Sequence, residues 1–199
     1  MDLTPKIQCA WKLARAYPED LAHFEQVART CEQLFEAFRP LHGLGGRELE
    51  LLYCAAALHD IGLSVSLSGH HKHSLRLILA SDLPEFTPEE RLLVANIARY
   101  HRKALPAEKH DHFAQLPPDA RDTVRRLAAL LRIADGLDRA HENAVSSLEA
   151  VQTGPDLWTL AIHGNGDLTF AAWGAERKAD LFQQVYGVAL QIEPKGIAV

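Results

Sequence analysis

Between Leu21 and Phe38 the apolar residues recur as Phe24, Val27, Ala28, Cys31, Leu34, Phe35 and Phe38, a spacing that puts them on one face of a helix. That helix is expected to stop at Arg39-Pro40. Gly43, Gly45 and Gly46 then read as a loop before a second helix from about Arg47, apolar almost all round from Leu51 to Leu58 and therefore buried on every side. A third helical stretch opens at Ser68-Gly69 and runs to Ser81. Thr87-Pro88-Glu89-Glu90 has the form of a capped start, and Leu92, Leu93, Ile97 and Tyr100 carry the helical spacing on to about Arg102. A polar, proline-containing connection is expected from Leu105 to Pro118. Another helix should begin near Asp119, since Val124, Leu127, Ala128, Leu131 and Ile133 keep the period.

The pattern changes near Ser146. Strand-like pieces at 148–151, 158–162 and 168–172 are separated by Thr153-Gly154-Pro155 and by Gly164-Asn165-Gly166, the second of which reads as a hairpin. A helix over about 175–186 and an extended piece near 189–192 follow. The chain is thus predicted to be mainly α, with a helical domain over residues 1–145 and a small α+β C-terminal subdomain over 146–199. Trp11, Trp158, Trp173 and the phenylalanines are assigned to packing.

Composition narrows the function classes. With 199 residues and 47% hydrophobic content the chain can bury a full core. Its 21 Lys and Arg against 26 Asp and Glu give a net charge of -5, so nucleic acid is not an expected partner. The longest apolar run, Leu51 to Leu58, is far short of the roughly 20 residues that cross a bilayer. Met1-Asp2-Leu3-Thr4-Pro5 lacks an export-type start, and a cytoplasmic location is expected. Cys9, Cys31 and Cys54 form no Cys-x-x-Cys pair and read as small core residues.

The chemistry gathers at His59-Asp60, directly after the most buried segment of the chain. Burying such groups requires a partner charge, a hydrogen-bond network or a metal. His23 lies on the inward border of the first long helix, four residues before Val27. Asp135 follows Leu131 by four residues, so it too continues an apolar face inward. Imidazole and carboxylate together suit a divalent ion such as Zn, Mn, Fe or Ni, whereas Mg alone prefers oxygen.

The order His23, His59-Asp60, Asp135 resembles the HD superfamily of metal-dependent phosphohydrolases. Ala56-Ala57-Leu58-His59-Asp60-Ile61-Gly62, Ser68-Gly69-His70-His71-Lys72-His73-Ser74, Ala98-Arg99-Tyr100-His101-Arg102-Lys103 and Ala134-Asp135-Gly136-Leu137-Asp138-Arg139 are similar to the C-terminal HD domain of the exopolyphosphatase and guanosine pentaphosphate phosphohydrolase family. This resemblance runs over nearly the whole chain and implies an HD-domain helical bundle. Polyphosphate cleavage in that family belongs to an N-terminal actin-like half that these residues do not include, so the resemblance does not carry that activity over.

By position, the resemblance implies His23, His59, Asp60 and Asp135 as ligands of a first ion. It implies His101, with His70 preferred over His71 and His73, as ligands of a second bridged through Asp60. With no second ion, His70 or His101 could instead give a proton to the leaving oxygen. Leu63 stands where relatives often have Lys or His, and Lys72, Arg102, Lys103 and Arg139 are the candidates for phosphate contact. The expected function is hydrolysis of a nucleotide or another phosphate ester or anhydride by metal-activated water, with one or two divalent ions as cofactor. The alternative is a catalytically silent regulatory or assembly module that binds polyphosphate, a nucleotide or a protein partner. By analogy a homodimer is also compatible with the resemblance.

Overall fold

Thr4 accepts a hydrogen bond from the Ile7 N–H at 3.3 Å and Pro5 follows it, which starts a helix that the apolar pattern does not announce. The computed structural model describes residues 3–17 and 20–195. Helix α1 spans Pro5–Ala14, α2 Leu21–Ala37, the single turn α3 Arg39–His42, and α4 Gly46–Leu58. A 3-10 turn over Ile61–Ser64 leads to α5 (His70–Ala80) and α6 (Pro88–Arg99). The capping box read from Thr87 and Glu90 is present, with reciprocal hydrogen bonds of 3.1 and 3.2 Å. The polar connection after α6 holds one helical turn, α7 (Asp111–Ala114), before α8 (Pro118–Leu137).

Helix α4 is the centre of the bundle. It packs against α1, α2, α6 and α8, which is why Leu51, Leu52 and the run from Cys54 to Leu58 are all buried. Three consecutive alanines, Ala55 to Ala57, let those neighbours come close just before the His-Asp doublet.

The C-terminal part comprises β1 (Val145–Gly154), β2 (Leu157–Gly164), α9 (Thr169–Glu176), α10 (Asp180–Tyr186) and β3 (Ala189–Lys195). Strand β2 is central, antiparallel to β1 and parallel to β3. It buries every second residue, including Trp158, Leu160 and Ile162. Phe38 of the bundle meets Trp158 and Phe182, with ring centroids 5.5 and 4.8 Å away, so one continuous core runs from the helices into the sheet.

Four details of this region differ from the prediction. Residues 168–172 open α9 rather than form a strand, because Asp167 Oδ1 accepts the Thr169 N–H at 2.8 Å and starts a helix there. Gly164-Asn165-Gly166 is accordingly a strand-to-helix turn, and the hairpin turns at Pro155-Asp156. The helix expected over 175–186 is broken at 177–179 into α9 and α10. Trp173, assigned to packing, is 41% exposed. Among the described residues no helix is long and apolar enough to cross a membrane.

Candidate metal centre

The five motif-bearing segments converge at one end of the bundle. His59 caps the C-terminus of α4 and Asp60 opens the 3-10 turn, so the doublet leaves the core where α2, α5, α6 and α8 meet it. Gly62 makes this possible. A Cβ there would lie 2.2 Å from the His70 carbonyl oxygen and 2.4 Å from the Ser74 nitrogen. With hydrogen in its place, the Gly62 N–H donates to Ser74 Oγ at 3.0 Å and the first turn of α5 sits against the doublet. His70 is thereby brought to Asp60.

Asp60 stands between two groups of donors. Its Oδ1 is 3.2 Å from the Nε2 of both His70 and His101, and its Oδ2 is 3.7 Å from His59 Nε2. Donor atoms of His23, His59 and Asp60 lie within 4.8 Å of one another, as do those of Asp60, His70 and His101, and all are buried. Asp135 joins the first group through Oδ1, 3.6 Å from His23 Nε2.

Each imidazole is fixed from behind. The Nδ1 atoms of His59 and His101 lie 2.7 Å from the carbonyl oxygens of Ala56 and Ala98, that of His70 lies 3.1 Å from Leu67 O, and that of His23 lies 2.7 Å from Asp138 Oδ2. Acceptors at these positions hold a proton on Nδ1 and aim Nε2 inward, as a lone pair wherever the ring is neutral. The consequence is a cage of facing Nε2 atoms: His59 Nε2 is 3.3 Å from His23 Nε2, and His70 Nε2 is 3.3 Å from His101 Nε2. Asp60 Oδ1, buried among them, has no hydrogen-bond partner. Such an arrangement is repulsive unless positive charge fills it, so the donor set fits a divalent cation held by nitrogen and oxygen.

The protonation equilibria carry the same signature. Burial pushes His101 down to about 3, with the Asp60 carboxylate only partly offsetting it. Burial likewise lowers His59. His23 is the exception: burial opposes its charging, but hydrogen bonds to Asp135 and Asp138 outweigh this and lift it to about 9. Asp60 and Asp135 are held well below the usual carboxylate range despite burial, Asp60 by its electrostatic coupling to the His59 and His101 rings and Asp135 mainly by Lys178. Carboxylate and neutral imidazole are the states that ligate metals.

A cavity of about 560 Å³ opens directly onto Asp60, His70, His101 and Asp135. A family comparison gives this geometry a place: the model for Ppx/GppA phosphatase, domain III, matches residues 6–166. The chain belongs to that family. In this Ppx/GppA domain III most of the remaining cavity wall is cationic, with Arg102, Lys103, Arg132, Arg139, Arg177 and Lys178 all lining it. Arg132 is committed to structure, since it donates to Asp180 Oδ1 at 2.9 Å and to Tyr100 O at 3.2 Å. Arg102 Nη1 lies 3.0 Å from His70 Nε2, supplying positive charge beside one of the bare nitrogens.

The Ppx/GppA domain III thus gathers all six of the residues expected to bind metal, and three of the four cations expected to bind phosphate. Lys72 is the one that stands apart. It is exposed and does not line the cavity, because the helical turn that sends His70 inward carries the residue two positions on to the opposite face. His71 is buried edge-on against His70 and His101, and burial, with the Arg102 charge adding to it, lowers it to about 4. Leu63 lines the cavity without a charge.

Sequence reasoning missed four residues here. Lys178 reaches the cavity between α9 and α10 and forms an ion pair with Asp135 Oδ2. Arg177 lines the wall beside it. Asp138 holds His23 Nδ1, and its Oδ1 accepts the Asn143 N–H at 2.8 Å. His141 stacks flat on His23 with centroids 3.9 Å apart, while its Nδ1 pairs with Asp20 Oδ2 at 2.6 Å. Asp138 was within reach of the pattern, three residues beyond Asp135 on an inward face. The others depend on long-range packing that no local spacing encodes.

Proposed function

We propose that the chain is a metal-dependent phosphohydrolase of the HD type, acting on a nucleotide or another phosphate ester or anhydride. One observation carries this reading: a single buried carboxylate, Asp60, shared by two sets of donors whose imidazoles all turn Nε2 inward. On this reading His23, His59, Asp60 and Asp135 hold one divalent ion, and Asp60, His70 and His101 hold a second. Nitrogen and oxygen donors in this mixture favour Mn, Fe, Zn or Ni over Mg. Ions bound there supply a Lewis acid and a water acidified towards neutrality.

The chain's own groups do the rest. The backbone carbonyls of Ala56, Leu67 and Ala98 and the Asp138 carboxylate fix the tautomer and tilt of the four rings, so the donors are in place before any ligand arrives. Lys178, Arg177, Arg139, Lys103 and Arg102 line the same cavity and are the groups that neutralise and orient a phosphoryl group. Lys178 takes the part that Leu63 cannot, reaching the site from the C-terminal segment rather than from the doublet motif. The neutral state of His101, with its proton on Nδ1, favours ligation over the proton-donor role that the sequence left open. Asp135, with Oδ2 on Lys178, keeps Oδ1 on the His23 side.

Metal analysis combined with turnover tests the proposal. Purified protein should carry transition metal and release phosphate or a phosphomonoester from part of a panel of nucleotides, phosphodiesters and anhydrides. Asp60→Ala should lose both properties. Metal-loaded protein that leaves the whole panel intact would rule out hydrolysis and leave a binding module.

A further inference from the structure

Outside the cage the surface holds one feature that the proposed chemistry does not use. Phe170 and Trp173, three residues apart on α9, stack with ring centroids 5.4 Å apart and planes inclined by 25°. They are 50% and 41% exposed, and among the described residues no other phenylalanine or tryptophan ring is exposed. Two arginines join this aromatic step to the cavity. The guanidinium carbons of Arg139 and Arg177 lie 5.5 and 5.2 Å from the centre of the Trp173 ring, and both side chains also line the cavity. Any group stacked on the step therefore stands one arginine away from a phosphate held beside Lys178.

The helix that carries the step is also fixed in position. A Cβ on Gly174 would lie 2.3 Å from the Gly136 carbonyl oxygen, so α9 crosses α8 in direct backbone contact one residue from Asp135. Aromatic side chains on an anchored helix, with only two rotatable bonds each, cost little ordering when a ligand stacks on them. Flat π-systems joined to phosphate are the chemical class that fits an exposed aromatic pair with guanidinium groups on its inner margin.

We propose that Phe170 and Trp173 form a nucleobase-stacking platform, so that the ligand of this site is a nucleoside phosphate, its base on the platform and its phosphate against Arg139, Arg177 and Lys178. This deepens the phosphohydrolase reading and rests on that reading for the position of the phosphate. No hydrogen-bonding groups are invoked, so the platform accepts any base.

Calorimetry on chelator-treated protein, where no turnover intervenes, compares AMP with ribose 5-phosphate, which lacks the base. AMP should bind about tenfold more tightly, within the range of one base stacked on an aromatic ring. Phe170→Ala, at an exposed position that does not line the cavity, should bring AMP down to the level of ribose 5-phosphate and leave the latter unchanged. Equal binding of the two ligands by the unaltered protein overturns the platform while leaving the phosphate site standing. Binding of neither places the failure in the cavity, and the platform is then read alone: adenosine at millimolar concentration should quench Trp173 emission, and absence of quenching overturns it. A concentration-dependent dimer abolished by Phe170→Ala, with no preference for AMP, assigns the patch to chain pairing and also overturns it.

Discussion

Gly174 of α9 sits on the backbone of Gly136 in α8, each so close that a side chain on either would collide with the other's segment: a Cβ on Gly136 would lie 2.7 Å from Gly174 O. The contact is backbone to backbone, so neither side can yield by a rotamer change. Gly174→Ala is expected to cost about 1–3 kcal/mol of stability, as overpacking does. It should also move Lys178 away from Asp135. Denaturant titration measures the first effect, and loss of phosphate binding at temperatures where the variant stays folded measures the second.

Asp60 belongs to both donor groups, whereas His59 and His70 belong to one each. Metal content should therefore approach two ions per chain in the unaltered protein. His70→Ala should reduce it by about one ion, and Asp60→Ala should abolish it. Elemental analysis after gel filtration reads all three, and a full complement in Asp60→Ala would refute the shared-carboxylate arrangement.

Lys178 is half-buried beside Asp135 and lines the cavity. Lys178→Met removes a phosphate-binding cation and should lower kcat/KM by about 10²-fold, the scale seen when one stabilising donor is deleted. Lys178→Arg should recover much of the loss. Since Met also leaves the Asp135 charge without its partner, thermal unfolding of both variants separates the stability effect from the kinetic one.

His42 provides a pH test away from the site. Its Nε2 hydrogen bonds to Phe35 O at 2.8 Å and its Nδ1 accepts the Leu44 N–H at 2.9 Å, so only the neutral ring satisfies both. Burial, then the charges of Arg39 and Arg126, lower its pKa below 6.5. A depressed folded-state value means that the stabilisation is present above the unfolded value of about 6.5 and is lost as pH falls from there towards the folded value. The stability gap between the unaltered protein and His42→Gln should narrow between pH 7.5 and pH 5.5. Urea midpoints at the two pH values check it, and a gap that widens would show the sign to be wrong.

How far the sequence could be read depends on whether each feature rests on local or distant contacts. The spacing from Phe24 to Phe38 and the Thr87–Glu90 cap determine helices through neighbours three and four residues apart, and these appear where expected. Helix α1 escaped because its apolar face, Ile7, Ala10, Trp11 and Ala14, covers only about two turns. Residues 168–172 looked like a strand by composition, but the turn at Asp167 and the packing of α9 on α8 decide in favour of helix. In the site, His23, His59, Asp60 and Asp135 were legible because polar groups interrupt apolar faces. Lys178 and His141 were not. They arrive from segments whose local sequence looks like ordinary surface, and only the crossing at Gly136 brings the first of them inward.

The chain carries a net charge of -5, yet the wall of its cavity is lined with arginine and lysine. The two fields act over different ranges. At low ionic strength the molecule as a whole repels an approaching polyanion, and attraction begins only near the mouth. At physiological ionic strength screening over about 8 Å erases the distant repulsion and spares the nearby attraction. Association with a phosphorylated ligand should therefore depend weakly on salt, or even quicken as the first salt is added, before slowing at higher concentrations, in contrast to the steady decline shown by a uniformly basic protein.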